Sequence, residues 1–449
     1  MKENKKADMM NIYQLDGRVP LGRAIPFGLQ HVLAMFVSNL APIIIVAGAV
    51  KLDSGQTAML VQNAMVVAGI ASLIQLYPVW RIGARLPIIM GVSFTFVTIL
   101  CYVGITYGYP TVIGAVLVGG CIEGCLGLLA KYWKWIIAPI VAASVVTTIG
   151  FSLLVVGAAS FGGGMGSPDI GSPTNLLLGT VTLLGCLFFN IFAKSYWKQL
   201  SVLFGLVVGY LLACILGMVD LSGFATAGFI SIPRILPFMP EFNVGAIVSV
   251  TIIFLVSATE TIGDTSAMTI MGLNREITEK EISGSLACDG FSSSISSLFG
   301  CLPVTSFSQN VGLIAMTKVV NRFTIMTGAA CMILAGLFPP VGVFFASLPA
   351  AVLGGCTIMM FGSIVISGVQ MLTRCGFTQR NIIIASLSIG IGVGFTQVPE
   401  LFTIFPTLVR EVFANNCVAV TFVISILLNL ILPQNMEIAA LGSEEKKTV

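Results

Sequence analysis

The chain has 449 residues, 56% hydrophobic and 9% charged, with a net charge of +3. Soluble domains carry about 25% charged residues, so a water-facing surface cannot be assembled from this composition, and basic residues spread in pairs argue against any nucleic-acid-binding face. The eleven cysteines lie mostly in apolar stretches, which argues against a disulfide framework, and His31 is the only histidine, which excludes a metal site built on two of them.

From the N-terminus, residues 1–23 are polar, with Lys2, Lys5, Lys6 and Arg18, and lack a short apolar run ending in small residues, so no removable signal peptide is expected. Apolar runs follow near 24–49, 57–77, 86–105, 110–129, 135–157, 175–193, 199–217, 244–271, 282–300, 303–317, 323–343, 345–372, 382–398 and 413–433. A run of about 20 residues crosses a hydrocarbon layer of roughly 30 Å as a helix. The expected fold is an all-α polytopic membrane protein of fourteen segments. Cys121 and Cys125, a turn apart in the fourth, read as buried apolar residues rather than as ligands.

The loops alternate in charge. Lys2, Lys5, Lys6, Arg18 and Arg23 are followed by the pairs Arg81/Arg85, Lys131/Lys134, Lys194/Lys198, Arg275/Lys280, Lys318/Arg322, Arg374/Arg380 and Lys446/Lys447. That places 19 of the 22 Lys and Arg residues on one side and leaves Lys51, Arg234 and Arg410 on the other. The positive-inside rule then puts both termini in the cytoplasm of a cell whose inner membrane holds the chain, and makes 157–175 and 218–243 long external connections.

The third run opens Leu86-Pro87 and the tenth Leu302-Pro303, an offset of 216 residues, close to half the chain. Seven plus seven segments make two halves of opposite orientation, an inverted repeat of the kind secondary transporters use. Both runs start at proline and are polar for membrane helices: Ser93, Thr95 and Thr98 in one, Thr305, Ser306, Ser308, Gln309 and Asn310 in the other. Broken backbone at membrane depth is tolerated where it lines a cavity or is buried in protein, so these two runs are expected to meet and present helix N-termini to a substrate.

Glu123, Glu260, Asp264 and Asp289 fall inside apolar runs, where a carboxylate costs about 2.5–3.5 kcal/mol at the bilayer centre and needs a partner or a purpose. Glu260 and Asp264 are four apart and share a helix face, a pair suited to handling a proton and a ligand. Glu123 reads as structural; Asp289 fits either a structural hydrogen-bond network or a functional role, His31 either a structural or gating hydrogen bond or proton transfer, and Lys318 a topological one. No phosphate-binding GxxxxGK[ST] loop occurs, so no ATPase is expected, and no arginine ladder points to voltage gating.

From residue 309 the chain reads Gln-Asn-Val-Gly-Leu-Ile-Ala-Met-Thr-Lys. This resembles the signature of the nucleobase-ascorbate transporter family, [Q/E/P]-N-x-G-x(4)-T-[R/K/G], at Gln309, Asn310, Gly312, Thr317 and Lys318; Gln30-His31, Ser93-Phe94 and the acidic run around Glu260 agree with it. The resemblance implies short antiparallel strands in segments 3 and 10, a core domain (24–130 and 244–344) that slides like an elevator against a gate domain (131–218 and 345–434), a connection at 219–243, tails at 1–23 and 435–449, and a homodimer. It assigns substrate contacts to Glu260, Gln309 and the Ser93, Phe94 and Ser308 region, and proton coupling or orientation to Asp264, Asp289 and His31. Asn310 would hold the loop, with Gly312, Thr317 and Lys318 supporting the motif. Asp264 and Gln309 stand where uracil carriers of the family resemble one another in histidine and glutamate, which points to xanthine or uric acid taken up with protons, without cofactor or metal. The alternatives are a uracil or broader-range nucleobase permease, an anion exchanger of the same fold, which would lack the Glu260 and Gln309 pair, and a membrane enzyme, which would want a histidine cluster or a large cytoplasmic loop.

Overall fold

The computed structural model describes residues 11–133, 137–194, 196–226 and 228–433. Lys2, Lys5, Lys6, Lys134, Lys446 and Lys447, with the expected tail at 435–449, lie outside the described residues. Helix α1 (Leu21–Ala49) starts immediately after Pro20 and α2 (Ser54–Leu76) is closed at its start by an Asp53–Gln56 capping box. Strand β1 (Met90–Val92), a 3₁₀ turn at Phe94–Phe96 and α3 (Val97–Tyr107) occupy the third apolar run. Next come α4 (Tyr109–Leu128), α5 (Pro139–Phe161), α6 (Pro173–Phe192), α7 (Ser201–Ile215), α8 (Val244–Leu273) and α9 (Glu279–Leu298). The tenth run is β2 (Val304–Ser306) and α10 (Ser308–Thr317), followed by α11 (Arg322–Gly336), α12 (Pro339–Ala346), α13 (Ala350–Cys375), α14 (Gln379–Thr396), α15 (Thr407–Phe413) and α16 (Cys417–Ile431).

Among the described residues, seven helices are long and apolar enough to cross a membrane, and nine if the bent pairs α11–α12 (78°) and α15–α16 (101°) each count as one span. Four of the remaining apolar runs fall short of that test for identifiable reasons. Segments Phe94–Tyr107 and Ser201–Ile215 are short, α9 carries seven serines, and the tenth run is divided between a strand and a ten-residue helix. Cys121 and Cys125 are exposed on α4 rather than buried, so the apolar surroundings expected for them are those of an outward helix face.

The strands pair antiparallel with register Met90↔Ser306, Gly91↔Thr305 and Val92↔Val304, so the two broken runs meet directly. Proline precedes each strand and holds the chain out of helical geometry. In lipid, every main-chain N–H and C=O needs an internal partner, and here side chains from surrounding helices serve the ribbon's free edges. Val92 N–H donates to Asn39 Oδ1 on α1 (2.7 Å), Met90 N–H to Ser72 Oγ on α2 (2.8 Å) and Val304 N–H to Ser293 Oγ on α9 (3.0 Å). Gly91 is required because a Cβ there would come within 2.8 Å of the Phe307 ring.

Helices α1, α2, α4, α8, α9 and α11 pack around the ribbon, while α5, α6, α7, α13, α14 and α16 pack on one another beside it. Within the first group α4 and α9 touch backbone to backbone: a Cβ on Gly290 would stand 2.1 Å from the Gly124 nitrogen and 2.6 Å from the Gly120 carbonyl oxygen. Small residues at such seams let helices approach where no hydrophobic drive operates between them. Gly290→Ala must push the helices apart, at a cost of about 1–3 kcal/mol or more. Thermal unfolding of the detergent-solubilised protein should therefore shift downward by several degrees, and an unchanged midpoint would contradict the close packing.

Candidate functional site

The two broken segments end at one place. Ser93 accepts from Thr95 N–H (3.3 Å) and opens the turn that leads into α3, while α10 opens at Ser308 directly after β2. Initial N–H groups of a helix have no intrahelical partner, and the helix dipole adds partial positive charge there. Both starts abut a cavity of about 1010 Å³, whose lining includes Ser93, Phe94, Thr95, Glu260, Asp264 and Thr305 through Gln309. The second helix group closes its far wall with Val146, Ile149, Met359, Met360 and Ser363, and the cavity extends toward Lys198, Arg374 and Arg380.

Glu260 and Asp264, a turn apart on α8, hang over this space as their spacing predicted. Glu260 Oε2 accepts from Thr95 Oγ1 (2.8 Å), which ties α8 to the first broken segment. Asp264 Oδ2 accepts from Ser306 Oγ (3.0 Å) and Ser308 Oγ (2.9 Å), which ties it to the second. Gly263, between them, has open space around its Cα. Gln309 is exposed to the cavity, and none of the side-chain hydrogen bonds among the described residues uses its amide. Phe94 is 7% exposed and meets Phe361 of α13 edge-on at 5.1 Å.

Other expected residues stand further back. Asp289 is fully buried and accepts from Thr261 Oγ1, which lies 3.4 Å from Ser306 Oγ. His31 is buried on α1, outside the cavity lining, with Nδ1 unpartnered among the described residues. Asn310 N–H donates to the Phe307 carbonyl (3.0 Å), and its Nδ2 reaches Met35 Sδ (3.6 Å), so it pins α10 to α1. Gly312 faces open space, Thr317 bonds back to Leu313 O (2.9 Å), and Lys318 ends α10 at a left-handed φ of 59° while its Nζ donates to Met271 O (2.7 Å). The signature thus splits into Gln309 at the cavity, Asn310 buried behind it against α1, and a helix-terminating end.

Three hydroxyls gained roles that spacing alone did not reveal. Thr95 and Ser306 were visible only as unusual polar residues, and Thr261 lay unremarked between two acids. Ser306 is buried and bridges Asp264 to Thr261, whereas Ser308 is exposed. Ser306→Ala removes a donor that water cannot replace, at about 1–3 kcal/mol, and Ser308→Ala one that water can. Thermal unfolding should show the larger loss for Ser306→Ala; equal losses would contradict the burial difference.

A family model described as "Permease family" matches residues 22–401. The chain is 33% identical over 437 residues to the xanthine permease XanQ of Escherichia coli (strain K12), covering 94% of each. It is 32% identical over 414 residues to the xanthine permease of Bacillus subtilis (strain 168), covering 91% of this chain and 94% of that one. Identity is also 32% over 415 residues to the uric acid transporter UacT of Escherichia coli (strain K12), covering 91% and 86%. Among solved structures, the transmembrane domain of the cyanobacterial bicarbonate transporter BicA matches with TM-score 0.55 at 15% identity, over 93% of this chain and all of that one. SLC26A9 matches with TM-score 0.62 at 12% identity, over 92% and 66%; at such identities the likeness speaks for the fold alone. Cavity-lining acids, the Gln309 signature and full-length similarity to permeases converge: this multi-pass membrane chain belongs to the nucleobase-ascorbate transporter family.

Proposed function

We propose that this protein carries a purine base, xanthine or uric acid, into the cell together with protons. The observation that carries this reading is the pairing, in one cavity, of the Glu260 carboxylate with the free amide of Gln309 beside two helix starts. A xanthine-type base presents ring N–H donors next to carbonyl acceptors. A carboxylate accepts from ring N–H groups, while a primary amide donates and accepts on one edge. The Phe94 ring supplies an apolar surface for a flat heterocycle. The relatives named for xanthine and uric acid support the same class.

In this reading the chain makes fourteen crossings as seven plus seven inverted segments, with the antiparallel pairing of the third and tenth runs as support. Residues 24–130 and 244–344 form the moving core and 131–218 and 345–434 the gate, which anchors a homodimer. Two packing groups meeting at the cavity suit an elevator, because substrate held by the core would cross as the core slides. With both termini in the cytoplasm of an inner-membrane protein, the cavity's extension toward Lys198, Arg374 and Arg380 is an inward-facing arrangement. Glu260 receives the base, Asp264 handles the proton or orients Glu260, and Asp289 and His31 support coupling from behind.

Uptake of labelled xanthine by cells lacking their own purine permeases tests this directly. Concentrative uptake should collapse with a protonophore, and its persistence in sodium-free medium without the gradient would overturn proton coupling. Competition by unlabelled uric acid, xanthine and uracil should show the first two far ahead. Gln309→Ala should weaken affinity about 5- to 150-fold by stranding polar groups on the buried base. Glu260→Gln turns an amide toward an N–H donor and should abolish ligand-induced thermal stabilisation, whereas Asp264→Asn should keep much of it while losing net uptake; the reverse pattern would exchange the two roles.

A further inference from the structure

Glu123 has no task in the transport reading, yet its surroundings are demanding. It sits on α4 at 1% exposure, and both carboxylate oxygens lack a hydrogen-bond partner among the described residues. Across the glycine seam, Asp289 on α9 is 0% exposed, with Oδ2 engaged by Thr261 and Oδ1 unpartnered. The seam brings their backbones into contact through Gly124 and Gly290, the immediate neighbours of the two acids. Among the described residues, the charged groups that act on the pair are acidic: Asp289 on Glu123, and Asp264 and Glu260 of α8 on Asp289.

Two carboxylates buried on either side of one backbone contact cannot both stay ionised without a counter-charge, and a carboxylate offers no donor of its own. A single proton resolves both deficits, because it gives one acid an O–H to donate and the other a donor to accept from. We infer that Glu123 and Asp289 share one proton across the α4–α9 seam and that Glu123 is a positioning residue for the acids at the cavity. Holding Asp289 Oδ1 leaves Oδ2 aimed at Thr261, next to the Ser306 hydroxyl that serves Asp264. The consequence for uptake rests on the transport reading; the shared proton does not.

Two substitutions separate the donor from the charge. Glu123→Gln retains a donor in its NH₂ group, and Glu123→Leu removes it at similar size. Infrared spectra of the purified protein at neutral pH should show a protonated-carboxyl C=O band that shifts in D₂O and loses a component in Glu123→Gln, where the amide replaces the proton and Asp289 is ionised. An undiminished band would overturn the inference. In cells, xanthine uptake should keep its KM within about threefold and the parental pH profile in Glu123→Gln, and fall at least tenfold in Glu123→Leu. Equal retention or equal loss in both variants would overturn the positioning role. Should Glu123→Leu fail to reach the membrane, the Glu123→Gln spectrum still decides, and a parent that moves no xanthine would overturn the transport reading while leaving that spectrum to judge the pair.

Discussion

A two-stranded ribbon buried inside a helical membrane protein creates one constraint that much of the architecture answers. Strands three residues long pair with each other on one edge only. The outer edges expose N–H groups that neither lipid nor a third strand can satisfy, and each left unpaired costs about 1–3 kcal/mol. Asn39, Ser72 and Ser293, from three different helices, meet that demand with bonds of 2.7 to 3.0 Å. Packing in the first helix group is therefore set as much by the donors and acceptors of the ribbon as by apolar contact. Seven serines on α9 make sense in that light: several of them supply hydroxyls in place of water.

The same economy governs the acids. Thr95 serves Glu260, Ser306 and Ser308 serve Asp264, and Thr261 serves Asp289. Each hydroxyl is neutral, so it stabilises a carboxylate without cancelling its charge, as a lysine or arginine would. An acid left uncancelled keeps its capacity to accept from a ligand or take a proton. Contacts across the boundary between the helix groups include Phe94 against Phe361 and Ser38 Oγ against Met360 Sδ at 3.7 Å. Weak, uncharged contacts of this kind can be exchanged for others at little cost, since no charge is stranded.

Composition, the spacing of apolar runs and the alternation of basic loops were sufficient for a polytopic membrane chain, and the Gln309–Lys318 signature for its family, because each rests on local chemistry. Lipid tolerates few charges, a helix must be long enough to cross, and Glu260 and Asp264 share a face through spacing of four alone. Pro87 and Pro303 also announced the two breaks, since proline forbids the helix locally.

What surrounds those residues was decided by the tertiary structure. Which hydroxyl meets which acid depends on register between segments up to 165 residues apart, as for Thr95 and Glu260, and no periodicity encodes it. His31 was placed in the first segment with a coupling role in view, but only the packing of α1 put it outside the cavity lining. Glu123 looked like an isolated structural acid because its counterpart is 166 positions away and reaches it only through the close approach of Gly124 and Gly290. A sequence states which groups lipid will not accept; the fold alone states which partner each of them finds, since that partner is chosen by approach distance in space.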